Sequence, residues 1–423
     1  MRIRSTLIGG ILILSIAACS GDGGRDVMAW QATRDTVGDT IIVRTVGGSV
    51  WGSARLVEEG RIGQLDGPDE YTFGAIVAMT TGPDETLYVL DRQVPALRSY
   101  APDGTYLGDL GRGGEGPGEL KQPDSGLAAL DDGRVLVRDP GNARITVFGP
   151  DGEHQTEWRI RGSSFTSTPL YVGDDGRVYV QLFEFGEGGP KFSFVRYTPD
   201  GEPGDTIPVP RTPDAPRLTA VRESEEGTNR SSRSVPFWPM LSTELSKSGE
   251  FVIGDPAAYS IDVPGPGGVL RIQRAYEPVP VTPGERDNTR ERVIHNMRQT
   301  ETGWDWDGPA IPDAKPAFRN LMVDDDGRIW VHLYTAAEPI PAEEIEEPDP
   351  GADEAPPLRW REPARFDVFD RDGTYLGQLE APRGFQTYPR PAIAGDRVWA
   401  VVEDELEVPY VVRFLIVPEM ARP

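Results

Sequence analysis

Apolar and polar residues alternate in short runs along nearly the whole chain, most clearly over residues 127–152, LAALDDGRVLVRDPGNARITVFGPDG. Alternation with period two over four to eight residues marks a β-strand. Asp-Gly pairs between such runs mark tight hairpins, because both residues tolerate positive φ. The stretch therefore predicts strand, tight turn, strand, short loop, strand and tight turn. Its first half recurs as DETLYVLD (84–91), DGRVLVRD (132–139), DGRVYVQL (175–182), SGEFVIGD (248–255), DGRIWVHL (326–333) and GDRVWAVV (395–402), which aligns Val89, Val137, Val180, Ile253, Val331 and Ala400. Its second half recurs as LRSYAPDG (97–104), RITVFGPDG (144–152), FVRYTPDG (194–201) and RFDVFDRDG (365–373), with worn versions at 259–268 and 411–417. A fourth short strand follows the turn, as in TYLGDLG (105–111) and TYLGQLE (374–380).

Four antiparallel strands per unit, repeating every 40–50 residues before insertions, is the pattern of a propeller blade. The expected fold is all-β: a six-bladed β-propeller of four-stranded antiparallel blades over residues 39–423, its last blade closed by an N-terminal strand. The sequence resembles the six-bladed propellers related to NHL repeats over about residues 40–420. RITVFGPDG and GRGGEGPGEL (111–120) carry the resemblance best, and blades four and six depart from it most. The last unit reads as three strands, so the orphan strand TIIVRTV (40–46) is expected to complete it. RIGQLDGPDEYTFG (61–74) would then lead into blade one, as GRGGEGPGELKQPD (111–124) leads into blade two.

The 49 glycines and 40 prolines suit a chain that turns every ten or so residues. The net charge of −25 disfavours general attraction to nucleic acid or anionic lipid. The single cysteine, Cys19, rules out an intrachain disulfide, and with 3 histidines the usual structural zinc sets are not available. Residues 1–18, MRIRSTLIGGILILSIAA, pair two arginines with a short apolar run and small residues, the layout of an export signal. The Ile-Ala-Ala-Cys ending resembles the lipobox of bacterial lipoproteins. That resemblance implies removal of residues 1–18, acylation of Cys19 and, with Ser20 following, sorting to the outer membrane. Residues 19–38 then read as a flexible tether, and the protein would sit lipid-anchored in the cell envelope, facing periplasm or exterior. It is expected to be a monomer that meets the membrane through its acyl chains alone.

The remaining motifs reduce to scaffold. Gly111-x-Gly113-x-x-Gly116 lacks the helix a dinucleotide fingerprint needs, since Pro117 and Pro123 follow, and reads as a link between blades. The Asp-Gly turns at 131–133, 174–176 and 324–327 are hairpins, not calcium loops. No nucleophile elbow or zinc-protease motif is present, and His154, His295 and His332 are scattered. The informative features are insertions at about 211–235, 283–317 and 334–364, with a shorter one at 183–190. All fall where propeller loops share one face, and the other face keeps only tight turns. Function on rigid scaffolds concentrates in such loops.

Segment 211–235 is locally basic, 284–303 is the one expected helix and a candidate lid, and 338–354 is an acidic stretch expected to be solvated. Arg112, Arg230, Arg233, Trp238, His295, Trp304 and Trp306 are the candidate ligand contacts. The expected function is a ligand- or protein-binding scaffold without a cofactor and without a catalytic signature. The alternative resembles the calcium-dependent lactonases and esterases that share six blades; it would place one Ca2+ at the axis, with Asn320 the assignable ligand.

Overall fold

Period-two strands with both faces apolar cannot stand alone in water, so the repeat folds into sheets that cover one another. The computed structural model describes residues 30–419, apart from 163, 187–188, 213–214, 225–226 and 350–352; the export signal and Cys19 lie outside the described residues. Six antiparallel blades follow the predicted units. The first five are Ile76–Leu110, Leu127–Arg159, Tyr171–Pro208, Ser242–Arg274 and Phe318–Glu380, each with four strands in sequential order. The sixth supplies three strands, Ala392–Ala394, Arg397–Glu403 and Pro409–Glu419. At the aligned positions, Val89, Val137, Val180, Val331 and Ala400 are fully buried.

Six apolar clusters seal the joints. Leu90 and Leu97 of blade one meet Val135 and Val137 of blade two, and Leu136 and Ile145 meet Val178 and Val180 of blade three. Phe194 meets Leu245 and Phe251, Ile261 meets Val331, and Val368 meets Val398. Trp399 and Val401 of blade six pack on Leu87 and Val89 of blade one, which closes the ring. At the tight turns, Gly133, Gly176 and Gly327 adopt φ of 84°, 71° and 80°, where a Cβ would be strained. The repeated aspartates that end the second strands are also structural. Asp91 accepts the backbone N–H groups of Gly74 and Ala75, and Asp139 those of Lys121 and Gln122, at 2.8–3.0 Å. Each carboxylate thereby fixes the link into its own blade.

Ring closure uses a different strand from the one expected. The N-terminal segment forms three strands, β1 (Gln31–Val37), β2 (Thr40–Gly47) and β3 (Ser53–Ile62). β1 occupies residues assigned from sequence to the tether. β2, the TIIVRTV strand, runs parallel to Gly268–Arg274 on the outer edge of blade four. The strand that completes blade six is β3, antiparallel to Pro409–Glu419 from Ser53 opposite Glu419 to Ile62 opposite Val411. β3 also pairs in parallel with Tyr375–Glu380 of blade five. The reason is spacing along the chain: β2 reaches the outer edge of blade four, and the turn through Gly48 and Gly52 carries the chain past blade five to blade six.

Buried charges bridge neighbouring blades. Arg138 has no exposed surface; its Nε donates to Asp124 Oδ1 at 2.7 Å, and its Nη2 donates to Thr166 Oγ1 and to the Thr166 and Thr168 carbonyls in the link to blade three. Replacing one partner strands the other charge in a low-dielectric site. Arg138→Met should therefore cost about 3–5 kcal/mol in denaturant unfolding, and the double variant Asp124→Leu/Arg138→Met should recover most of it. His332 is 9% exposed and stacks on Phe366 at 5.1 Å; burial, then nearby Arg319, lower its pKa from 6.5 to about 4. The folded state thus favours neutral imidazole, and the unfolded chain binds the extra proton between those two values. The contribution is fully present above about pH 6.5 and is lost as pH falls towards 4, about 3 kcal/mol in all. A His332→Phe variant should flatten the stability profile across that window in urea titrations at each pH.

Candidate functional site

The insertions share one face and build a cap there. The hairpin Arg217–Ser224/Gly227–Ser234 links blades three and four, and α1 (Pro283–Arg298) with the following loop links blades four and five. α1 begins where Thr282 accepts the Glu285 N–H and Pro283 fills the first turn. Leu218, Ala220, Val235, Met297 and Trp304 form the core of this cap, with Trp238, Val293, Ile294 and Trp306 packed around it. Trp304 is 4% exposed and its indole N–H donates to the Thr219 carbonyl at 2.9 Å. Trp306 donates to the Gly308 and Pro309 carbonyls, and Arg290 lies over its ring. Stacking on a ligand needs an open ring face, so the Trp304-Asp305-Trp306 stretch serves the cap core instead. Trp238 has the same neighbours.

The other predicted site residues do not converge. Arg112 pairs with Glu119 in the link between blades one and two; Arg230 and Arg233 lie exposed on the cap hairpin. His295 contacts Gln299 one turn along α1. Asn320 lies on the innermost strand of blade five, exposed towards solvent. Among the described residues, no group of three or more His, Cys, Asp or Glu is placed to hold a metal ion. The acidic stretch 338–354 is tied down where it is described: Glu344 pairs with Arg361 and Arg383, Glu347 with Arg359, and Asp353 accepts from Gln299.

The cap is anchored through charge. Lys315 is fully enclosed; its Nζ meets Glu285 Oε1 of α1 at 2.6 Å, Glu362 Oε1 at 3.0 Å and the Thr335 carbonyl at 2.9 Å. Arg319 pairs with the same Glu362 at 2.5 Å and lies over the Tyr334 ring. Asn288, buried on α1, donates to the Pro357 carbonyl and accepts from the Arg359 N–H. The helix is therefore pinned to the long loop of blade five.

An axial cavity of about 390 Å³ is lined by all six innermost strands. Those strands are the free edges of their blades, so unpaired backbone N–H and C=O groups face the axis and make it polar. Its outer part is bounded by the tight turns between first and second strands, so it opens on the face opposite the cap. Its inner end is set by Arg390, which reaches from blade six across to three other blades. Arg390 Nη1 pairs with Glu244 of blade four, Nη2 donates to the Val323 carbonyl of blade five at 2.7 Å, and the guanidinium sits 5.8 Å from the Tyr171 ring of blade three. Tyr171 in turn donates to Glu244 Oε2 at 3.0 Å. Burial first, and the Glu244 carboxylate second, push the Tyr171 phenol well above its ordinary value. Enclosure alone would lower Arg390, and Glu244 raises it overall. Both groups keep their proton at any physiological pH.

At the mouth, Lys247 donates to the Asp325 carbonyl at 2.9 Å, and the Asp174 N–H donates to the Lys247 carbonyl at 3.0 Å. The Asp131 and Asp174 carboxylates line the cavity and take no hydrogen bond or ion pair within the described residues. Sequence reading missed this set because its members come from four blades and share no motif. The one available signal was position: each sits on or beside a predicted first strand. For the cap, Trp304→Ala should remove about 3–5 kcal/mol of local stability. Amide exchange should then quicken across the hairpin and α1 while the blades stay protected. Unchanged exchange would mean that Trp304 is not structural.

No family model matches the chain, and no curated protein is similar to it in sequence. Among solved structures, a Bacteroides fragilis protein named as exported aligns at 11% identity, over 87% of this chain and 99% of that one, with a TM-score of 0.45. A DUF4221 family member from Bacteroides vulgatus aligns at 12% identity over 86% and 98%, with a TM-score of 0.46. Virginiamycin B lyase from Staphylococcus aureus aligns at 11% over 81% and 94%, with a TM-score of 0.38. Similarity at this level carries no argument about chemistry.

Proposed function

We propose that the protein is a lipid-anchored binding protein of the bacterial envelope. Cys19 carries the acyl chains, the residues between it and β1 form the tether, and the monomeric propeller takes a small polar ligand in its axial cavity. The observation that carries this reading is the cavity itself: about 390 Å³, lined by every blade, with the Arg390–Glu244–Tyr171 set fixed at its inner end and unpaired carboxylates at its mouth. That volume falls in the range of small-molecule sites, and a few oriented polar groups in a concave wall are what such sites use for specificity. The decorated face, with Arg112, Arg230, Arg233 and His295 on its surface or links, braces the ring in this reading.

A calcium-dependent lactonase or esterase would need several carboxylates gathered with Asn320 at the axis. The carboxylates that do line the axis are spread around the mouth, with Asp324 paired to Arg328, and Glu244 behind them is held by Arg390, so binding without a cofactor is favoured. The test is a thermal-shift screen of small amines, sugars and carboxylates against the wild type and Ala129→Trp, which fills the cavity without adding charge. A ligand at about 100 times its Kd adds about 2.7 kcal/mol, a rise of a few degrees, and Ala129→Trp should abolish it. Equal stabilisation of both proteins would place binding elsewhere, and a Ca2+-dependent rise in melting temperature would favour the hydrolase. Labelled palmitate should enter the wild type in a bacterial host and not Cys19→Ser.

A further inference from the structure

A second cavity, about 330 Å³, lies at the joint between blades four and five on the capped side, separate from the axis. Its walls come from the end of blade four (Arg274–Glu277), from Pro316 and Ala317 ahead of the next blade, and from Leu333–Ala336, Arg365, Asp367 and Gln378 of blade five. At its base, Asp367 has no exposed surface and is fully occupied. Oδ2 accepts from Tyr259 and from Arg274 Nη1, and Oδ1 from Tyr375 at 2.7 Å and Gln378 at 3.4 Å. The ring of Tyr375 supports the Arg274 guanidinium at 4.3 Å. Arg274 is thus held rigidly by one edge, and its Nε and Nη2 take no partner among the described residues.

Arg365 stands two residues before Asp367 on one strand, so both project from the same face of the blade. Its Nη2 makes one contact, at 3.2 Å, to the exposed Glu380, and its Nε is buried without a hydrogen-bond partner. The cavity therefore presents two guanidiniums with unclaimed N–H donors, and only one is matched by the buried Asp367. The opposite wall is apolar and aromatic: Val279, Ala317, Leu333, Tyr276 and Tyr334, whose ring carries Arg319 on one face and whose hydroxyl takes no partner among the described residues. Glu277 at the rim is the one other carboxylate lining it, and it disfavours a ligand of high negative charge.

We infer that this cavity binds a small organic monocarboxylate, its carboxylate held by Arg274 and Arg365 and its apolar body against Tyr276, Tyr334 and Leu333. Guanidinium donors match a planar carboxylate in geometry as well as charge, and the parallel Nε and Nη2 donors of Arg274 supply the fork that favours it over a point anion. Asp367, Glu380 and Glu277 offset the charge of the two arginines, so recognition rests on their directed N–H donors and not on a local positive excess.

The probe is phenylacetate, measured by calorimetry on the folded chain, with phenylethylamine and inorganic phosphate as comparisons. Phenylacetate should bind saturably, and Arg365→Gln should weaken it by roughly tenfold or more. Glu380→Gln, which releases Arg365 from its surface partner, should leave affinity equal or tighter while preserving the fold. Ala129→Trp should leave it unchanged, which separates this site from the axial one. Absence of saturation up to about 10 mM, equal binding by phenylethylamine, tighter binding of phosphate, or indifference to Arg365→Gln in a variant of native melting temperature would each overturn the assignment.

Discussion

Everything in this molecule depends on the fact that a blade has two apolar faces and can bury neither by itself. Without a disulfide to hold the ring, closure must come from ladder hydrogen bonds and inter-blade packing. The β3 ladder supplies it by making blade six a sheet shared between the two ends of the chain. Losing β3 would expose more than one edge. It would loosen the joint to blade five, where β3 also pairs, and the joint to blade one, where Trp399 and Val411 pack against Leu87 and Val89. Stability is therefore a property of the whole ring more than of any blade.

Charge is used at the joints in one recurrent way. Arg138 spans blade two and the link to blade three, Asp367 joins blades four and five, Lys315 ties the cap to blade five, and Arg390 draws four blades together at the axis. Arg138, Asp367 and Lys315 are enclosed and Arg390 is half-buried at the cavity wall, and each has several partners on different segments, so none can change its neighbours without stranding a charge. The apolar clusters supply most of the driving force and tolerate sliding. The ion-paired bridges select a single register of blade against blade, and they set the walls of both cavities.

How much of this was legible in the sequence follows from how local each feature is. Blades were legible because Val, Ile and Leu alternate with polar residues over five-residue strands and Asp-Gly ends the hairpins. The helix expected over 284–303 was legible through the apolar stripe of Val293, Ile294 and Met297, and it ends earlier, at Arg298. β3 was not, because SARLVEEGRI forms an outer strand whose irregular register near Glu58 and Gly60 breaks the alternation. TIIVRTV looks like a buried strand, yet Ile41 and Val46 are exposed on blade four's outer edge. An aromatic pair reads alike whether it faces ligand or core, so Trp304 and Trp306 could not be sorted without the cap. Tyr171, Glu244 and Arg390 were invisible for a topological reason: residues far apart in the chain meet only because the ring closes.

The N-terminal strands also set an order in time. β2 pairs at once with β1 as a local hairpin, but its other edge waits for residues near 270, and β3 waits for residues near 380 and beyond 410. Contacts of such long sequence separation form slowly, because loop entropy must be lost before packing compensates it. Until then both strands carry unpaired backbone edges, the usual seed for association between chains. The charged residues of the N-terminal segment, Arg34 and Asp35 on β1, Arg44 on β2 and Glu58, Glu59 and Arg61 on β3, are well placed to keep it soluble. Assembly of the ring is consequently a last-in event: the C-terminal strand must arrive before the N-terminal one can be used.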